Sequence, residues 1–184
     1  MRVFVALNIP DARVIDRMVA FQGELSATGA DLKLVERQNL HFTVKFLGEI
    51  SEAQAKEAAT RLRALKLTGI EATVKGVGAF PRPSRPSVIW VGVAHDDEAR
   101  VNPLATSVVK ALEGIGESDD RPYQAHITIA RVRSGRNKEA LESFLMTNSE
   151  RDFGGVKLAS LNLVSSLLTP KGPVYTDLEV YPLE

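Results

Sequence analysis

The chain has 184 residues, 44% of them apolar, enough for one medium domain or two small lobes with a sizeable core. Lys plus Arg and Asp plus Glu both number 23, so no bulk field draws the protein to nucleic acid or membrane, and any polyanion contact must be local. There is no cysteine, which excludes disulfides, thiolate metal sites and a cysteine nucleophile.

The N-terminal MRVFVALNIPDARV carries a short apolar run broken by Asn8, Pro10 and Asp11. It is too short for a secretion signal or a membrane span, so a first strand over 2–7 and a cytoplasmic protein without membrane association are expected. Val14, Ile15, Met18, Val19, Phe21 and Leu25 have helical spacing over 11–26, and a strand follows around 40–47. Ser51 is placed to cap a helix over 51–66, and GIEATVKGV (69–77) reads as a strand. The segment GAFPRPSRP (78–86) is rich in Pro and Gly and predicts a loop or lobe connection. The pattern then repeats: a strand over 87–93, a helix over 97–114, a strand over 124–132, a helix over 137–147 and strands over 156–164 and 174–182.

A shift of 85 residues carries Phe4 onto Ile89, His41 onto His126 and the first two helices onto the next two. Five elements agree within boundary error. This predicts an internal duplication, with halves of about 1–77 and 87–164 forming two similar lobes of a single bilobal unit over 1–184.

The duplication superposes His41-Phe42-Thr43 on His126-Ile127-Thr128. The chain has only three histidines, and two of them occupy equivalent strand positions, each with a threonine on the same face two residues later. Taken singly, a strand histidine or threonine is an ordinary structural residue. Paired across a pseudo-two-fold, they place two imidazoles and two hydroxyls around one groove. One neutral imidazole can then take a proton from water while the other, protonated, gives one to a leaving oxygen, and the hydroxyls can donate to phosphate oxygens. That suits phosphodiester chemistry without a metal or other cofactor. A zinc site is the rival, but neither motif holds a carboxylate, and Glu49 beyond the first has only Ser134 as its counterpart. Alternation places Lys45 on the His41 face as a possible phosphate ligand. It places Arg131 opposite His126, where only a twist or bulge would turn it inward. His95 falls in a polar connection and is expected to be solvated. Phe80, Tyr123 and Trp90 could stack a base, but Trp90 alternates within an apolar strand as a core residue does.

RVFVAL, NLHFTVKFLG, GVGAFPRPSRPSVIWVGV, RPYQAHITIARV and SSLLTPKGPVYTDLEVYPL together resemble the two-histidine phosphoesterases, specifically the RNA 2′,3′-cyclic phosphodiesterases also called 2′-5′ RNA ligases. Ala125 stands where that family usually has Pro. The resemblance implies a bilobal α+β fold, with mainly antiparallel sheets flanked by helices around a central groove. It implies hydrolysis of RNA or nucleoside 2′,3′-cyclic phosphate ends to 2′-phosphates. His41 would be the general acid and His126 the base that activates water, with Thr43, Thr128 and Arg131 on the phosphate. The expected partner is that substrate alone, acting on a monomer. Ligation to a 2′-5′ bond, another cyclic phosphodiester at the same groove, or a non-catalytic RNA-binding module are the alternatives.

Overall fold

The computed structural model describes residues 1–184. Its elements are β1 (Arg2–Leu7), α1 (Ala12–Ser26), β2 (Leu32–Leu34), β3 (Phe42–Glu49), α2 (Glu52–Arg63), β4 (Ile70–Arg82), β5 (Arg85–Val93), α3 (His95–Ala111), β6 (His126–Val132), α4 (Lys138–Thr147), β7 (Asp152–Leu158), β8 (Ser160–Thr169) and β9 (Gly172–Pro182). α1 and α2 begin where the capping chemistry puts them. The Asp11 carboxylate accepts from the amides of Arg13 and Val14, and Ser51 and Gln54 form a reciprocal capping box.

Two antiparallel sheets result, one ordered β3-β1-β8-β9 and the other β2-β6-β5-β4-β7, in an α+β architecture. Neither sheet is built from one half of the sequence. β8 and β9 complete the sheet that β1 and β3 begin, while β4 runs beside β5. The apolar faces of both sheets and the helices over them share one continuous core, which includes Val5, Leu7, Met18, Phe21, Leu47, Ile89, Val91 and Ile127.

Two expectations need correction, and two short elements are additional. The segment 78–86 is no loop: β4 and β5 form a long hairpin that turns at Pro83 and Ser84. Pro81 and Pro86 lie opposite each other there, beyond the reach of β7 and β6, so each lacks only a hydrogen bond that no neighbouring strand would have made. The strand expected over 156–164 is two strands that meet at Ala159, where the chain leaves the second sheet and enters the first. The residues that enter the main core change parity there, from Val156 and Leu158 to Leu161 and Leu163, while Val164 packs on the other face with Phe4 and Ala6. The short β2 and a 3-10 turn at Arg37–Asn39 carry too few residues to show a period and were not anticipated.

The connection from α3 to β6 folds back on β3, and the amide of Glu117 donates to the Leu47 carbonyl at 3.0 Å. Gly116 sits at φ +68 with its α-carbon against that same carbonyl, where a Cβ would collide with backbone; Gly114, at φ +82, faces open space. Gly114→Ala therefore incurs only the backbone strain of a side chain at positive φ, about 1 kcal/mol, whereas Gly116→Ala adds the collision and costs roughly 2–4 kcal/mol. Urea unfolding of the two variants reads the difference, and equal midpoints would show that the Gly116 contact is unimportant.

Candidate active site

His41 enters β3, the edge strand of the first sheet, directly ahead of Phe42. Its ring stacks on Phe4 of β1 at 5.0 Å between centroids and meets the edge of Tyr175 of β9 at 5.5 Å. Its Nε2 lies 2.9 Å from the Thr43 hydroxyl. Thr43 is paired with Ala6, so the motif shares a face with Phe4 and Ala6, while Val3, Val5 and Leu7 fill the core beneath the other face.

His126 opens β6 in the second sheet, opposite Gly92, and Thr128 lies opposite Trp90. The Phe80 ring approaches the imidazole edge-on at 5.0 Å. The His126 Nδ1 is 2.7 Å from the Gln124 carbonyl. A carbonyl only accepts, so Nδ1 carries the hydrogen and Nε2 keeps its lone pair. The backbone of Asn39, also two residues upstream, favours the charged form of the His41 ring. β2 pairs only with Ala130–Val132, which leaves the His126–Thr128 stretch uncovered on that side, and β3 packs against β6 at the seam between the sheets.

A bulge in each histidine strand decides which cation joins the motif. In β6 the pairing slips at Ile129, so that Ala130 faces Ile89 and Arg131 faces Val88, on the Trp90 and Gly92 side of β5. Arg131 thus returns to the face of His126 and Thr128, and it lies near enough to Tyr175 in the other sheet to oppose in part the burial that pushes that phenol up. In β3 the slip at Val44 has the opposite effect. Lys45 falls opposite Val5 and spends its ammonium on the Glu117 carbonyl at 3.0 Å, while Phe46 turns to the Phe4 side and stays 54% exposed instead of packing under the helices. The slip in β6 brings Arg131 to the histidine face, and the slip in β3 removes Lys45 from it.

Burial lowers both imidazoles. That of His41 falls to about 4, since desolvation outweighs the Asn39 carbonyl, and that of His126 also falls below its ordinary value despite Gln124. Both rings are therefore neutral at pH 7 while the groove holds no anion. His95 starts α3, 93% exposed and 3.3 Å from Glu98, remote from this chemistry as expected. The aromatic neighbours that hold His41, Phe4 and Tyr175, were not anticipated. RVFVAL is apolar on both faces, so nothing in it marks Phe4 as a groove residue. Of the three candidate stacking aromatics, Phe80 touches His126 and Trp90 touches Phe80 at 5.4 Å. The hydroxyl of Tyr123 is buried without a partner. No group of three His, Asp or Glu side chains converges as a metal site would require.

A family model described as the AKAP7 2'5' RNA ligase-like domain matches residues 2–183. Relatives named RNA 2',3'-cyclic phosphodiesterase include one from Archaeoglobus fulgidus, 35% identical over 98% of this chain and 99% of its own length. Another, from Methanothermobacter thermautotrophicus, is 32% identical over 100% of this chain and 99% of its own. Among solved structures, E. coli LigT complexed with 3'-AMP superposes with a TM-score of 0.80, at 21% identity over 99% of this chain and 97% of that one, and so shares the fold. Matched from end to end by that model and by these relatives, with a His-x-Thr motif in each sheet, the chain belongs to the 2'-5' RNA ligase-like family of two-histidine phosphoesterases.

Proposed function

We propose that the protein hydrolyses the 2′,3′-cyclic phosphate at the end of an RNA strand or on a nucleoside, leaving a 2′-phosphate and a free 3′-hydroxyl. The observation that supports this is the packing of β3 against β6, the two strands that carry the His-x-Thr motifs, in a chain whose full-length relatives are named RNA 2',3'-cyclic phosphodiesterase. His126 is the base: its Nδ1 hydrogen is committed to Gln124, and its Nε2 lone pair takes a proton from water as the water oxygen attacks phosphorus. The bond from phosphorus to the 3′ oxygen breaks, and His41, protonated at Nε2, supplies the proton that this oxygen needs. Thr43, Thr128 and Arg131 donate to the non-bridging oxygens, whose charge grows in the transition state. Lys45 stays outside this set because its ammonium is already held. The choice of the 2′-phosphate over the 3′ isomer rests on the family resemblance. The reading also takes the protein as a cytoplasmic monomer and as an ancient duplication, for which the support is the matched pairing of β3 with β1 and β6 with β5.

Incubation with a nucleoside 2′,3′-cyclic phosphate in excess chelator, with the product identified by NMR, tests the reaction. Persistence of the cyclic ester would refute it, and a 3′-phosphate product would reverse the roles of the two ribose oxygens.

The division of labour has its own test, because a general acid matters most for a poor leaving group. His41→Ala should lose about 10² to 10⁴ in kcat on the cyclic ribose ester and recover much of it on a nitrophenyl phosphodiester, which departs without a proton; His126→Ala stays impaired on both. Recovery by His126→Ala instead would exchange the two assignments. Thr43→Val and Thr128→Val keep the shape and remove a donor, with an expected loss on the order of tenfold to several hundredfold in kcat. Undiminished turnover in both valine variants would remove the hydroxyls from the mechanism.

The productive state needs one proton shared by the imidazole pair, with His41 charged and His126 neutral. Since burial lowers both, kcat/KM, which reports the free protein, should peak below pH 6.5 and then fall about tenfold per pH unit. Bound phosphate favours the imidazolium, so kcat should hold to higher pH than kcat/KM. A kcat/KM profile flat from pH 5 to 9 would contradict paired-histidine catalysis.

A further inference from the structure

A second cationic feature lies outside the site just described. Beyond Arg131 the chain leaves β6 through Val132, Arg133, Ser134 and Gly135 and enters α4 at Lys138. Across from it stands the start of β5, with Arg85, Pro86 and Ser87. These segments line a cavity of about 250 Å³ at the end of the second sheet, with the Arg85, Arg133 and Lys138 side chains and the Ser87 and Ser134 hydroxyls around it. All five residues are exposed, and none of the three cations is paired with a carboxylate, in contrast to Arg37, Arg61, Arg63, Arg121 and Arg151. In a chain with zero net charge, three unpaired cations around one concave site mark a local attraction for anions.

The location gives this attraction a purpose. Arg131 shares the face of His126 and Thr128, and Arg133 lies two residues further along, about 7 Å in an extended strand. That is comparable to the step between neighbouring phosphates of an extended single strand. Two arginines and a lysine with intervening hydroxyls suit phosphodiester oxygens, which accept charge-assisted hydrogen bonds and whose condensed counterions are released on contact. The N-terminal end of α4 adds to the attraction. Its N-cap, Asn137, is in the left-handed region at φ 52 and makes no capping bond, because its side-chain amide donates to the Thr28 carbonyl instead. Glu139 lies in the first turn of this helix but does not line the cavity.

We propose that the cavity bounded by Arg85, Ser87, Arg133, Ser134 and Lys138 is a subsite for an internucleotide phosphate of the RNA strand whose cyclic end occupies the two-histidine groove. The proposal rests on the phosphodiesterase reading above and adds to it that the preferred substrate is an oligonucleotide rather than a nucleoside. The strand runs from the groove past Arg131 along β6 toward α4. The subsite contributes binding that is shared by ground and transition states, so it lowers KM and leaves kcat nearly unchanged.

The test compares a nucleoside 2′,3′-cyclic phosphate with a tetranucleotide ending in the same group, using the full chain and the double variant Arg133→Ala, Lys138→Ala. Both residues are exposed, and neither belongs to the proposed catalytic set. The unmodified protein should favour the tetranucleotide in kcat/KM, and the variant should lose on the order of tenfold on it, through KM, while keeping its rate on the nucleoside. The dependence of log kcat/KM on log salt concentration should also become shallower for the tetranucleotide alone. Equal kcat/KM for the two substrates in the unmodified protein, or equal losses on both in the variant, would overturn the subsite. Failure to hydrolyse either ester would refute the phosphodiesterase reading, and the subsite is then judged by fluorescence anisotropy with the labelled tetranucleotide. Affinity reduced about tenfold in the variant would sustain it, and unchanged affinity would overturn it.

Discussion

The antiparallel pairing of each histidine strand with a strand locked into the core fixes the geometry of the groove. β1 presents Val3, Val5 and Leu7, and β5 presents Ile89 and Val91, all of them fully buried. A strand has two faces, and a slip of one residue would exchange them, sending those side chains into the groove and the histidine motifs into the core. The cost of that exchange is several buried aliphatic side chains, each worth roughly 1.5–3 kcal/mol. Pairing of β3 with β1 and of β6 with β5 is therefore unambiguous, and the His-x-Thr faces inherit that certainty. The two bulges then make local exceptions. The one at Ile129 turns Arg131 toward the histidines; the one at Val44 turns Lys45 away from them, and a further slip at Leu47 restores the alternation of β3.

What the sequence reveals, and what it hides, follows from the same physics. The four motif residues were legible because polar groups in a strand with an apolar partner face leave a period-two signature, and because that signature occurs twice. The bulges were not. Ile129 and Ala130 in β6, and Val44 in β3, are ordinary strand residues, and no local preference distinguishes an inserted residue from a paired one. Alternation accordingly gave Lys45 the place that Arg131 holds. Prolines at 81, 83 and 86 hid the β4–β5 hairpin, since Pro signals a missing donor but not whether a neighbouring strand would have used it. The sharing of strands between the two sheets was equally hidden, because the choice of partner is settled by contacts distant in sequence, such as those of β1 with β8. Helix starts were read to within a residue or two, from apolar spacing at α1 and from the Ser51 cap at α2.

The aromatic lining of the groove has a consequence for charge. Phe4 and Tyr175 around His41, and Phe80 beside His126, remove water from one side of each ring and offer no carboxylate in exchange. The His126 imidazole is oriented by the Gln124 carbonyl and that of His41 by the Thr43 hydroxyl, partners that carry no full charge. Many two-component acid-base sites place an acidic side chain against the ring to keep it protonated; here that role is left to the ligand. An anionic phosphodiester entering the groove brings the missing negative charge, is met by Arg131, and raises the affinity of the neighbouring imidazole for a proton. A neutral ester of similar shape brings nothing to stabilise the imidazolium. Under the proposed assignment of His41, the acid would thus be assembled only when a substrate of the correct charge is present, and desolvation that is unfavourable for a free imidazolium would become a means of selecting phosphodiesters over neutral esters.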